Sequence, residues 1–369
     1  MDLTPTSEHE ALREVVAAFV AETTPPHRFA EIFDGGDDPA TDPSVWARLA
    51  EMGLLGLSVP EDLGGAGAGL VEETILFEEL GAGLLPAPVF STVALCLPLL
   101  VAAPDAPDLV PPVVDGSRRY ALAATGGHAP SLVGSAEDPV DPGILVAGPA
   151  EAPELSGERT WVLDAAGADG LLVPVATPAG PAVYLVDADA ATSVTRMSAI
   201  DRTQPAFRVQ FSRARARLLL APAIASTALA TVRRRTALLA SAEAVGISRR
   251  MLSTTADYCS TRTQFGRPIA TYQGVSHQLA DTYIDVELAR SLVLWAALEP
   301  TDTATLATAV EALPAAVRAS ERAIQLHGGI GMTWDAVLHR YYKHALLRHA
   351  LVPRPGLLRA ALARTLLDT

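Results

Sequence analysis

The spacing of apolar residues changes twice along this chain, and that change limits the fold more than any single motif does. From residue 7 to about 103 the spacing is helical, with Val45, Leu49 and Met52 recurring at helical steps before Gly53. From about 119 to 220 the apolar runs shorten. Segments 170–175 and 182–186 are bounded by Gly, Pro and Asp, and 207–211 (F-R-V-Q-F) alternates apolar with polar. A period of two is the pattern of a half-buried strand. A stretch rich in Pro, Gly and Ser, 129–153, reads as loop between strands. From 222 onward helix returns, with Val275, Leu279, Val286, Ala289 and Val293 on one face and Gln278, Asp281, Asp285 and Arg290 on the other. The expected architecture is therefore mainly α with a central β domain. It divides into a helical domain at 1–118, a β domain at 119–221 and a helical bundle at 222–369.

Charge and cysteine content exclude several classes. The formal net charge is −14 over 369 residues, and the only basic cluster is Arg233, Arg234 and Arg235, so no nucleic-acid partner is expected. Cys96 and Cys259 form neither a metal spacing nor a disulfide framework, which suits a reducing cytoplasm. The N-terminus, M-D-L-T-P-T-S-E-H-E, is acidic and polar, unlike a signal peptide. A cytoplasmic location is expected. Residues 84–103 carry no charge over a membrane's length. Pro86, Pro88 and Pro98 interrupt them and no basic residue flanks them, so two short buried helices are expected rather than a span.

Two dense motifs remain. In 261–273, T-R-T-Q-F-G-R-P-I-A-T-Y-Q, Arg262 and Arg267 bracket Phe265 and Gly266 between two long helical stretches. This is either a connector with surface arginines or an anion clamp, because the guanidinium fork matches phosphate. In 323–345, the run Q-L-H-G-G-I-G places Gly328, Gly329 and Gly331 between helical stretches. Glycine inside a helix costs roughly 1 kcal/mol relative to alanine. The run is thus either a corner or a place where backbone must approach another group closely.

Taken together, R-T-Q-F-G-R-P-I followed some fifty residues later by Q-L-H-G-G-I-G resembles the acyl-CoA dehydrogenase family. The N-terminal W-A-R-L-A-E-M-G-L-L-G-L-S-V-P-E-D-L-G-G-A-G and the later L-S-G-E-R-T-W-V-L-D-A-A are similar to its first helical domain and its β-domain hairpin. The resemblance covers nearly the whole chain. It implies a flavoprotein with a helical N-terminal domain, a β-barrel-like middle domain and a C-terminal four-helix bundle, with FAD between domains and between subunits. By that resemblance Arg262, Gln264, Phe265 and Gln273 would hold the dinucleotide of a neighbouring subunit. The turn with Gln325, His327, Gly328 and Gly329 would pack against its adenosine half, and Trp161 would shield the flavin ring. The implied reaction removes the α-proton and β-hydride of an acyl thioester, on CoA or a carrier protein. Electrons would pass to an electron-transferring flavoprotein, and the assembly would be a homodimer or homotetramer.

Departures from the family pattern bear on the chemistry. The stretch 120–131, Y-A-L-A-A-T-G-G-H-A-P-S, lacks the Thr-Glu and Gly-Ser-Asp that usually meet the flavin, and Leu163 stands where a threonine is common. The usual base positions fall on Val352 and Thr236, neither of them acidic. Two carboxylates are candidates in their place: Glu243, seven residues after Thr236 on the same helix face, and Asp335, following Thr333 as a helix N-cap. His327, His339 and His344 lack metal spacing and are read as polar contacts, with no metal expected. The alternative implied by these gaps is a non-redox enzyme on the same fold, or a catalytically silent subunit of a heteromer with a homologous chain.

Overall fold

The computed structural model describes residues 4–25, 42–124, 143–191, 193–353 and 355–367. The N-terminal region is helical, with α1 (Ser7–Thr23), α2 (Pro43–Glu51) and α3 (Leu70–Gly83). Thr6 accepts from the His9 amide and His9 returns a bond to the Thr6 amide, a reciprocal cap that starts α1. Where two buried helices were expected between 84 and 103, one continuous helical run appears. A π-helical segment, Phe90–Cys96, leads without a break into α4 (Leu97–Val101). Pro98 has no N–H to give and crowds the preceding turn, and the wider π turn stands directly before it. Among the described residues no helix is long and apolar enough to cross a membrane. Short helices α5 (Ala106–Leu109) and α6 (Pro111–Val114) close the region.

Among the described residues eight strands follow: β1 (Tyr120–Leu122), β2 (Ile144–Ala147), β3 (Glu154–Leu163), β4 (Gly170–Thr177), β5 (Gly180–Asp187), β6 (Ser193–Arg196), β7 (Ala206–Arg215) and β8 (Arg217–Leu220). They form two four-stranded sheets, ordered β1-β4-β5-β8 and β2-β3-β7-β6. All pairings are antiparallel except β1 with β4. The alternation read in 207–211 is realised in β7, where Phe207, Val209 and Phe211 are buried and Arg208 and Gln210 exposed. The first sheet is covered on both faces. Leu172, Val183 and Leu220 join the helical core. Leu171, Val173 and Val186 pack with Val162, Val209 and Phe211 of the second sheet. That double coverage explains why β4 reads as an unbroken apolar run.

The C-terminal part contains α7 (Pro222–Thr261), α8 (Gln273–Leu298), α9 (Asp302–His327), α10 (Leu338–Ala350) and α11 (Pro355–Leu367). Helix α7, about 60 Å long at 1.5 Å per residue, runs through the core and is crossed by α3. At the crossing the backbones touch. A Cβ on Gly246 would lie 1.9 Å from the Glu78 carbonyl oxygen, and one on Gly81 would lie 2.3 Å from the Glu243 carbonyl oxygen. Only glycine permits this approach, and it places Glu243 at the meeting of α3 and α7.

Candidate functional site

Two places in the structure gather the residues singled out in the sequence. The first is the far end of α7. Arg262 follows its last turn, and 263–268 fold into a two-residue-per-strand hairpin in which Gln264 pairs with Arg267. Its corner residues, Phe265 and Gly266, have φ of +52° and +82°. Two successive left-handed residues make the tightest kind of hairpin turn, at a cost for phenylalanine that glycine does not carry. The Phe265 side chain is 93% exposed. Behind it the Tyr272 hydroxyl donates to the Gln264 carbonyl at 3.2 Å, and the Arg267 guanidinium lies 4.1 Å from the Tyr272 ring centre. The hairpin is braced from within and open outward. Arg262 is exposed, with no ion pair among the described residues.

The glycine turn lies beside it. Tyr258, one turn before Arg262, stacks on His327 with ring centres 4.2 Å apart, and the His327 Nδ1–H is placed to donate to the Ala323 carbonyl at 2.8 Å. This contact joins the ends of α7 and α9, bringing the hairpin and the turn of Gln325, Gly328 and Gly329 onto one surface. Gln273 and Gly274 open α8 there without any side-chain cap on its first amides. Gly329 and Gly274 have unremarkable φ, and a Cβ on either would meet nothing within 4 Å. Nothing in this chain therefore requires glycine at these two positions. An approaching group from outside would require it, and the cradle, the bare amides and the free Arg262 suit an anionic dinucleotide.

The second place is the junction of the three regions. Trp161 sits near the end of β3 in a left-handed conformation, φ +57°, at a shift in register against β7 between Arg159 and Val162. Its N–H donates to the Met197 sulfur at 3.3 Å. Leu163, two residues on, is buried in the helical core. Next to it the Asp164 carboxylate accepts from Ser91 Oγ at 2.7 Å and from Gln204 Nε2 at 2.9 Å. Burial raises this carboxyl's pKa above the usual range, only partly opposed by Gln204 and Ser91. Arg348 donates to Gln204 and to Glu243 and lies over the Phe90 ring, 4.1 Å from its centre. His344 bridges Asp201 at 2.8 Å, Thr203 at 2.9 Å and Glu243 at 3.2 Å. Glu243, Asp201, His344 and Arg348 are each at most 5% exposed.

Of the two carboxylates considered for the base, Glu243 lies at this junction and Asp335 does not. Thr236 is fully buried, its hydroxyl donating to the Val232 carbonyl, and Val352 is buried in the core. Glu243 is neither a surface acid nor a free one. Burial alone would raise its pKa, but Arg348 and then His344 outweigh burial and hold it below the usual range. A base working near neutral pH needs the opposite shift. Asp335 is exposed in a turn, and Thr333 does not cap a helix, because its hydroxyl donates back to the Ile330 carbonyl. The helix begins only at Leu338, since the five-residue 3-10 segment Gly328–Met332 and the turn after it take up the chain between. His339 bonds the Trp334 carbonyl and stacks on its ring. The stretch compared with the family's flavin-binding segment, 120–131, lies outside the described residues beyond Ala124.

Sequence reasoning missed Asp164, Asp201, Gln204 and Arg348. One signal was available: His344 and Arg348 are four apart, hence on one helix face, in a segment otherwise closed by buried Leu338, Tyr341 and Ala345.

The comparisons agree with this geometry. A family profile described as "Acyl-CoA dehydrogenase, N-terminal domain" matches residues 6–106, and one described as "Acyl-CoA dehydrogenase, C-terminal domain" matches 224–351. The protein "Acyl-CoA dehydrogenase IpdE2" of Mycobacterium tuberculosis is 34% identical over 93% of this chain and 92% of its own. The chain belongs to the acyl-CoA dehydrogenase family. Among solved structures, the ChsE4-ChsE5 complex from Mycobacterium tuberculosis superposes with a TM-score of 0.87 at 27% identity over 100% of both chains. A Tcur3481-Tcur3483 steroid ACAD variant superposes with 0.84 at 30% identity over 98% of both. Members of this family bind FAD in general.

Proposed function

We propose that this chain is one subunit of an FAD-dependent acyl-CoA dehydrogenase and lends cofactor contacts to a homologous subunit that carries the base. Bound FAD would supply the acceptor for the β-hydride of an acyl thioester. This chain's own part is binding. Arg262 would pair with a phosphate, Gln264, Phe265 and Gln273 would line the dinucleotide, and the 325–329 turn would receive its adenosine half. The observation that carries the reading is the fate of the base positions. Thr236 and Val352 are sealed, and Glu243, seven residues along the same helix from Thr236, is taken up by Arg348 and His344. Two similar solved structures are named for pairs of chains, ChsE4-ChsE5 and Tcur3481-Tcur3483, and the second name includes a steroid substrate class. A bulky, steroid-derived acyl thioester is the first substrate to try, with electrons passing to an electron-transferring flavoprotein.

The test is co-purification. Expressed alone the chain is expected to be colourless, and with a homologous base-bearing subunit the pair is expected to be yellow and bleached by the thioester. A chain that binds flavin alone and is bleached by thioesters, with Glu243→Gln abolishing bleaching but not flavin binding, would instead make it a complete dehydrogenase using Glu243.

A further inference from the structure

The buried cluster at the three-way junction has a charge arrangement that the binding role does not use. His344 on α10 has an acceptor at each ring nitrogen. Nδ1 meets the Asp201 carboxylate at 2.8 Å and the Thr203 hydroxyl at 2.9 Å, and Nε2 meets the Glu243 carboxylate at 3.2 Å. A neutral imidazole has one N–H and one lone pair. In that form one of its nitrogens would point its lone pair at a buried carboxylate. Only the imidazolium satisfies both sides. Asp201 and Thr203 belong to the loop between β6 and β7, whereas Glu243 belongs to α7, so the charged ring ties the β domain to the helical bundle.

The tied loop continues to Trp161, the residue that would shield the flavin in the function proposed above. Asp201 also anchors Thr203 through its backbone and hydroxyl, and Gln204 is held between Asp164 and Arg348. Upstream, Met197 accepts the Trp161 N–H. We propose that His344 is a proton-controlled latch: its imidazolium fixes the loop from Met197 to Gln204 and, through Met197, the left-handed backbone of Trp161.

The remaining charges around the ring fit this role. Arg348 on the same helix repels the imidazolium but is neutralised by Glu243, while Lys343 on that helix feels Arg202, Arg340 and the Asp201 carboxylate. From α9, Glu321 is taken up by the Tyr342 hydroxyl. Burial and Arg348 push His344 down, yet Asp201 and Glu243 outweigh them and its pKa is raised. A raised folded value means the latch is fully closed below the ordinary histidine value of about 6.5. Between that value and the raised folded value the opening constant grows by about tenfold per pH unit, and as pH passes through the folded value it levels off with the latch's contribution lost.

Arg202, exposed between buried Asp201 and Thr203, reports on the loop. Tryptic cleavage after Arg202, followed by mass spectrometry and normalised to a free peptide of residues 197–208, is expected to accelerate with pH from 6 to 9.5. Cleavage elsewhere in the chain should not follow it. His344→Gln should be cleaved at the alkaline level at every pH, and Asp201→Asn should reach its plateau at lower pH than wild type. The Asp201→Asn shift is the decisive readout, because a merely structural contact would move the level and not the pH. A flat wild-type profile, a His344→Gln profile that keeps the wild-type slope, or an Asp201→Asn profile with an unmoved plateau would overturn the proposal.

Discussion

At the scale of single residues, the contrast between Glu243 and Arg262 separates the two halves of the candidate site. Glu243 is buried in ion pairs, so Glu243→Gln leaves Arg348 and the His344 imidazolium short of a charge. Breaking one side of a buried pair costs about 3–5 kcal/mol, and a drop in thermal unfolding midpoint should show it. Replacing both members, Glu243→Leu with Arg348→Met, should recover most of that loss, as apolar replacements of buried pairs do. The sign with pH follows from the depressed carboxyl. The Glu243 contribution is present above the ordinary glutamate range and lost as pH falls through its lowered folded value. Wild type should therefore lose more stability than Glu243→Gln on acidification below about pH 4.3. Arg262→Ala should behave in the opposite way. The isolated chain should unfold unchanged, whereas FAD affinity of the yellow assembly should fall about ten- to a hundredfold, matching about 1.5–3 kcal/mol for a charge-assisted contact. Asp335→Asn, at an exposed turn, should change neither.

At the scale of elements, two glycine pairs give opposite expectations. Gly246→Ala drives a methyl into the Glu78 carbonyl at the α3–α7 crossing. The helices must separate, and the chain should express poorly or melt far earlier. Gly329→Ala meets nothing in this chain, so its own melting should be unaffected while flavin binding by the assembly drops. Much of the element pattern could be read from the residues. The alternation in 207–211 appears in β7, and Val286, Ala289 and Val293 face the core as the period of 3.6 required. The misses have local causes. The helix at 89–101 passes through Pro98 because a π turn precedes it, and Thr333 looked like a cap because cap residues and turn residues are the same types. The candidate site was legible where it consists of motif and backbone: Arg262, Gln264, Gly328 and Gly329 share one surface. It was not legible where Asp164, Asp201 and Gln204 meet the α10 face, because these three carry no periodic or spacing signal and only the four-residue step from His344 to Arg348 hinted at a polar face there.

At the scale of the whole molecule, exposed apolar side chains bear on the proposed assembly. Phe265, Ile330, Met332 and Trp334 lie on the hairpin and the turn at the ends of α7 and α9, each more than half exposed. A second subunit would cover them, and a dimer or tetramer with interfaces in 222–367 is expected. Light scattering at micromolar concentration checks this, and a monomer in the yellow preparation would contradict it. Phe265→Ser should weaken assembly without lowering the melting point of the isolated chain.

Helix α7 also acts mechanically. Its backbone is pressed against α3 at Gly81 and Gly246, which makes a fulcrum, while Arg262 stands 16 residues beyond Gly246, about 24 Å along a stiff rod. A tilt of about 4° at that fulcrum would swing Arg262 by about 1.7 Å, more than half the length of a hydrogen bond. Whatever loosens or tightens the packing around Glu243 is thus magnified at the hairpin, and a substitution in the middle of the molecule can change the grip on a ligand held at its edge.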